Sequence, residues 1–330
     1  MQKSFLLSAI LFINSILLAQ RPELMIQSGH QSEIVMASIS MDAKYLLSVE
    51  QDSKAILWEM ASGKQLRIFK DVMAAGFSPD GSSIEMVKDD YTFLKTDFLG
   101  NILQTYSKSS GPDKSKRLLY SYYPESGIFD WNGIIYQREN GKVATIRIPD
   151  YGLAHHLSEK LNLLAVGNKN AITLCQIPSG NVEKTINLTI DKKTDMKFVK
   201  FSPDGKYILA GSKIDVEVLD VESGKSLYMF KYGDLSSGYS RYFEVLNANF
   251  SPDSKQLLVL AKNELILYDL STGKVIWKTP QTEISVNEYG VQCGVLLFSP
   301  DGKQIILGGT KKMRDTYNVN IFSICEFEGH

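Results

Sequence analysis

The chain has 330 residues with 36 basic and 37 acidic side chains, a formal net charge of -1, and 44% hydrophobic content. That is ordinary globular usage, and so even a charge balance gives no general attraction for nucleic acid or anionic membranes. Cys175, Cys293 and Cys325 are an odd number and far apart, which excludes a disulfide framework and Cys-x-x-Cys metal pairs; they read as small buried apolar residues.

Lys3 opens the chain with a positive charge, Phe5 to Leu18 form an apolar run, and small Ala19 precedes Gln20. This pattern describes a secretory signal peptide over residues 1–19. The run falls short of the roughly 20 apolar residues that cross a bilayer. The expected product is secreted or periplasmic, with no stable membrane span after signal removal and residues 20–330 as a single domain.

From there the sequence repeats itself. Phe77-Ser78-Pro79-Asp80-Gly81 recurs at Phe201 to Gly205 and at Phe298 to Gly302, and Phe250-Ser251-Pro252-Asp253-Ser254 is a copy that lacks the glycine. Weaker versions stand at Ile39 to Asp42, Gly111 to Asp113 and Leu157 to Lys160. Seven anchors between His30 and the end give about 43 residues per unit, the size of a four-stranded propeller blade. Within a unit, an apolar run ends in a Pro-Asp-Gly turn and two more runs follow. A Ser-Gly-Lys or Thr-Gly-Lys turn, as at Ser62 to Lys64, Ser223 to Lys225 and Thr272 to Lys274, then leads to a fourth. The fold expected is all-β, a seven-bladed β-propeller of four-stranded antiparallel blades, with residues 107–150 its most degraded part.

Gly29-His30, Leu46-Leu47-Ser48 and the stretch from Asp52 to Trp58-Glu59 together resemble the first repeat of the WD-repeat family, with Glu59 where aspartate is usual. The resemblance implies a hydrogen-bonded structural network of His30, Ser48, Asp52 and Trp58, carried by this repeat alone. Leu270 to Trp277 is similar to the docking motif of quinoprotein-type propellers, whose tryptophans tie blades together. Arg21 to His30 resembles the start of exported bacterial WD-repeat proteins, some of which continue into a caspase-like peptidase domain. Glu23 to Gln27 or Ile324 to Glu328 could close the ring as its outermost strand, and the N-terminal segment is favoured.

Catalytic patterns are thin. His30, His155, His156 and His330 show no zinc spacing, and neighbouring His155 and His156 would face opposite ways on a strand, which places them on a loop or surface. The recurrent aspartates suit turns better than acid–base work. Longer links at residues 231–244, 280–291 and 310–318 all fall opposite the Pro-Asp-Gly turns. They carry Tyr232, Tyr239, Arg241, Tyr242, Phe243, Tyr289, Arg314 and Tyr317, residue types that dominate binding hot spots. The expectation is a scaffold for a protein or peptide, with no cofactor, no metal and no catalysis. The rivals are a quinoprotein-like or lactonase-like propeller with a channel active site, and the accessory propeller of a longer peptidase.

Overall fold

The computed structural model describes residues 27–32, 34–51, 53–78, 80–90, 92–106, 154–168, 170–190, 196–232, 245–261, 264–279 and 295–308. It also describes the backbone of residues 120–123, 128–131, 134–139, 142–147 and 317–323. Their strands pair into seven four-stranded antiparallel sheets, and the fold is an all-β propeller with four-stranded antiparallel blades. In chain order the sheets span Ile34–Lys70, Val72–Thr105, Tyr120–Arg147, Ala154–Asn187, Phe198–Lys231 and Val245–Lys278, numbered here as blades 1 to 6. The seventh combines Val295–Phe298, Gln304–Gly308 and Tyr317–Ser323 with the N-terminal strand Gln27–His30 on its outside. The closing strand is therefore N-terminal, a few residues later than Glu23 to Gln27. Ile324 to Glu328 lie outside the described residues.

The repeated turn explains why each blade starts as it does. In the copy at Ser202, the hydroxyl donates to Asp204 Oδ1 at 2.7 Å, and that oxygen accepts the Lys206 N–H at 3.0 Å. The Tyr207 N–H returns to Ser202 Oγ at 2.9 Å and opens the second strand. Ser40–Asp42, Ser251–Asp253 and Ser299–Asp301 repeat the arrangement. Gly205 meets the turn's left-handed position at φ 73°, and Ser254 accepts the same strain at φ 60° where the glycine is lost. In blade 2 the Ser78 hydroxyl, the Ser82 N–H and the Ser82 hydroxyl hold the Asp80 carboxyl well below the ordinary range. These carboxylates are engaged in building turns.

In blade 3, residues 124–127 join the first two strands, Tyr120–Tyr123 and Ile128–Trp131. The anchor expected at Gly111 to Asp113 lies outside the described residues. Its aromatic residues belong to paired strands, with Tyr120 opposite Trp131 and Phe129 opposite Tyr136.

Among the described residues, apolar side chains on the faces of neighbouring sheets fill five seams. Blades 1 and 2 share Leu47, Leu57, Phe77 and Ile84. Blades 4 and 5 share Ile172, Leu174, Phe201 and Ile208, and blades 5 and 6 share Val216, Val218, Phe250 and Leu257. Leu258, Leu267, Phe298 and Ile305 fill the seam between blades 6 and 7, with Trp277 packed against them. Ile34, Leu46, Trp58, Val295 and Ile306 join blade 7 to blade 1.

The innermost strands are stitched by side chains reaching the next blade. His156 Nδ1 accepts the Phe201 N–H at 3.3 Å, Lys200 Nζ donates to Asn247 Oδ1 at 2.8 Å, and Asn249 Nδ2 donates to the Leu296 carbonyl at 2.9 Å. His155 and His156 thus sit in the innermost strand Ala154–Ser158, a correction to the loop or surface position expected. Burial and nearby Lys200 depress His156 to about 3, so it stays neutral and keeps its acceptor. Small Ala75 and Gly76 leave a cavity of about 300 Å³ between the innermost strands of blades 7, 1 and 2, lined also by Met36, Ile39 and Leu297.

Gly211 ends the strand Tyr207–Gly211 directly under the Phe198 ring, where an added Cβ would come within 2.1 Å of the ring carbons. Gly211→Ala must displace that ring and is expected to lower unfolding free energy by about 1–3 kcal/mol, the usual cost of overpacking. Denaturant unfolding checks this, and an unchanged midpoint would mean that the ring moves freely.

Candidate functional site

The most highly organised polar cluster joins the closing strand to blade 1. His30 ends the strand Gln27–His30, Ser48 lies in Tyr45–Glu50 and Trp58 in Lys54–Glu59. Trp58 Nε1–H donates to Ser48 Oγ at 2.7 Å. An indole N–H can only donate, so the serine proton is directed to His30 Nε2 at 2.6 Å and His30 Nδ1–H donates to Glu50 Oε2 at 2.9 Å. Glu50 Oε2 also accepts the Gln31 N–H at 2.8 Å, while Oε1 pairs with Lys54 Nζ at 3.0 Å. Lys54 in turn donates to the Gly29 carbonyl at 2.9 Å.

The carboxylate of this network belongs to Glu50, whereas Asp52, expected in that role, lies outside the described residues. Alternation along a strand explains Glu50: two residues from Ser48, it projects from the same face of the sheet. Burial drives His30 below its ordinary 6.5 despite the carboxylate beside it, so the ring is neutral at neutral pH. Burial alone would raise Glu50, but the Gln31 N–H, Lys54 and His30 outweigh it and hold the carboxyl below its ordinary 4.5.

Serine, histidine and glutamate here follow the hydrogen-bond order of a hydrolase triad. Ser48 is 0% exposed, His30 1% and Trp58 2%, and Trp58 already occupies the serine oxygen, so a substrate carbonyl has no approach. The cluster is a fully satisfied structural network. Register shows why it occurs once among the described blades: the place of Trp58 opposite Leu46 is taken by Thr96, Cys175, Leu219 and Tyr268 in blades 2, 4, 5 and 6.

A related device joins blades 4 and 5 without a histidine. Fully buried Glu217 accepts the Thr189 N–H at 2.8 Å, the Thr189 hydroxyl at 2.7 Å and the Ile190 N–H at 3.3 Å, fixing the link that leaves blade 4. Glu50 and Glu217 were both missed by motif reading. Glu217 carries a signal, an acid between two valines inside its strand, whereas Glu50 closes its strand ahead of Gln51 and carries none.

Antiparallel order sends all inter-blade links and all second-to-third-strand connections to one face. The opposite face carries turns of five residues at 40–44, 60–64, 202–206, 221–225, 251–255 and 299–303. On the link face the spacing runs from Asp71 alone, between blades 1 and 2, to residues 279–294 between blades 6 and 7. Tyr232 begins the link after blade 5, and its hydroxyl donates to the Tyr268 hydroxyl at 2.8 Å. Burial and Tyr268 push its ionisation far above the ordinary tyrosine range, so Tyr232 anchors its link against blade 6 instead of presenting a free ring. Tyr317 is also repositioned: it opens the strand Tyr317–Ser323 and is paired with His30, so the connection it was expected to lie in ends before it. Tyr239, Arg241, Tyr242, Tyr289 and Arg314 lie outside the described residues. Among the described residues no group of three His, Cys, Asp or Glu is placed to hold a metal ion.

No family model matches the chain. Over 39 residues, 12% of its length, it is 49% identical to an adenine phosphoribosyltransferase of Leptospira biflexa. That match covers 19% of the transferase, about one blade of this chain, and shows no shared family.

Acidification should loosen the closing seam in two stages. Below pH 6.5 the unfolded chain takes up a proton at His30 that the folded chain refuses, so stability falls with pH. Below 4.5 the unfolded chain also protonates Glu50 before the folded one does, and stability falls again. Denaturant midpoints across this range test both stages. His30→Gln should shrink the upper stage, which depressed His156 shares, and Glu50→Gln the lower, which the turn aspartates share, each lowering stability near neutrality by about 1–3 kcal/mol through partners left unsatisfied.

Proposed function

We propose that this chain is an exported, seven-bladed propeller of the WD-repeat kind that binds a protein or peptide through its link-rich face and catalyses no reaction itself. The observation that carries this reading is the asymmetry between the two faces. One has short turns whose carboxylates are spent on their own backbone, and the other has links of widely different length mounted on rigid blades. Variable loops on a fixed scaffold are where binding resides. The buried network of His30, Ser48, Glu50 and Trp58 favours the non-catalytic reading, since every member already has a partner inside the protein.

Tyr239, Arg241, Tyr242, Tyr289 and Arg314 are the contact residues of this proposal, with Tyr232 holding the base of its link. Partners captured on the immobilised wild-type chain should be lost when Tyr239, Arg241 and Tyr242 are replaced together by alanine. Equal capture by wild type and the triple variant would exclude this face. Export is tested separately by intact mass after cell fractionation. A product shortened by residues 1–19 and found outside the cytoplasm is expected, whereas a full-length cytoplasmic product would overturn the assignment.

A further inference from the structure

The innermost strand of each blade pairs with the second strand along one edge and turns its other edge to the channel. Ser40, Ser78, Ser202, Ser251 and Ser299 each donate a main-chain N–H toward the second strand of their blade. By antiparallel alternation, the residue just before each serine sends its own N–H and carbonyl toward the channel. Side chains meet three of these donors. The Phe77 N–H donates to Ser38 Oγ over a long 3.5 Å, the Phe201 N–H to His156 Nδ1 at 3.3 Å and the Phe250 N–H to Asn249 Oδ1 at 3.0 Å. Ser38 and His156 stand two residues before the turn serine of their own blade and reach forward to the next. The same place in blade 7 holds Leu297, which offers blade 1 no polar atom and packs into the seam between them. Among the described residues, neither the Ile39 N–H of blade 1 nor the N–H of buried Phe298 in blade 7 meets an acceptor. Main-chain donors in protein interiors are nearly always met by a partner. These two border a single cavity.

That cavity, about 300 Å³, is bounded from Met36 to Ile39 and reaches Pro300 in the turn at residues 299–303, so it lies in the half of the channel nearer the turn face. Its size is at the small end of ligand sites and suits one large apolar side chain with its flanking peptide groups. We propose that an uncharged, apolar peptide segment enters the channel from the turn face and pairs as an added strand with Ala37 and Ile39 of blade 1. One of its residues accepts the Ile39 N–H and donates to the Ile39 carbonyl, and an apolar side chain fills the cavity beside Leu297. The channel edge of a strand alternates donors and acceptors at main-chain spacing, which an extended peptide complements and a simple apolar molecule does not. The seven innermost strands carry no Asp or Glu, so a basic peptide finds no countercharge on them. This site is separate from the link face and does not rest on binding there.

The probe is acetyl-Ser-Val-Leu-Val-Ser-amide, uncharged and rich in strand-forming residues. Calorimetric titration of the purified chain should show saturable binding with a dissociation constant below about 1 mM. Hydrogen exchange at Ile39, rapid in the protein alone, should slow at saturation. Two further probes are methylated at the leucine nitrogen and at the next valine nitrogen. Alternate N–H groups face the strand, so one of these should bind at least about tenfold more weakly and the other within about threefold of the parent. Leu297→Asn gives blade 7 the residue that blade 6 has at this place, Asn249, and should abolish binding by offering the Ile39 N–H an internal acceptor. Leu297→Ala leaves the edge open and should still bind. Circular dichroism of both variants should match the wild type. No saturable binding, binding without protection of Ile39, methylated probes that behave alike, or undiminished binding to Leu297→Asn would each overturn the proposal.

Discussion

A sheet with apolar residues on both faces cannot be stable alone, and the whole fold depends on each blade burying those faces against its neighbours. Leu46 and Leu47 show the constraint within one strand: consecutive residues, both fully buried, one packed toward blade 7 and the other toward blade 2. The second and third strands are accordingly near-continuous apolar runs, while outer strands such as Gln65–Lys70 expose most of their residues. Such an array has no stable end until its last blade meets its first. The seam between blades 7 and 1 therefore carries the concentration of hydrogen bonds around His30 as well as apolar packing.

The two joints made by Glu50 and Glu217 solve a problem that packing leaves open. A link that turns from the outside of one blade to the centre of the next has backbone N–H groups that no sheet can pair. A buried carboxylate with two acceptor oxygens gathers several of them at once, and those hydrogen bonds offset the cost of its burial. In blade 1 histidine and serine extend the device to the Trp58 indole. In blade 5 the carboxylate acts through Thr189 and Ile190 alone.

Repeat period, turn chemistry and strand order were legible in the sequence because each copy of Ser-Pro-Asp-Gly closes the same hydrogen-bonded turn. His30, Ser48 and Trp58 were legible by family likeness, which pointed at the Asp52 turn for the carboxylate and so passed over Glu50. A carboxylate's position along a strand does not reveal which neighbouring link it will reach, so the place of Glu217 between two valines marked an unusual acid without naming its partners. Tyr232 looked like a contact residue because a link of aromatic residues reads alike whether it packs inward or outward. Only the fold brings the Tyr268 hydroxyl, 36 residues later, within 2.8 Å.

The pairing of Gln27–His30 with Tyr317–Ser323 has a consequence for how the protein is born. Nearly three hundred residues separate the two strands, so Gln27–His30 waits for Tyr317–Ser323 to be made before it finds its neighbour. At synthesis rates of roughly 5–20 residues per second, that wait is about a quarter of a minute to a minute. Blades 1 to 6 can assemble on the emerging chain, but the circle is completed only once residue 323 has been made. A ribosome that stalls or terminates before residue 317 would release an open arc with two raw ends, and that arc is the form most exposed to aggregation and proteolysis.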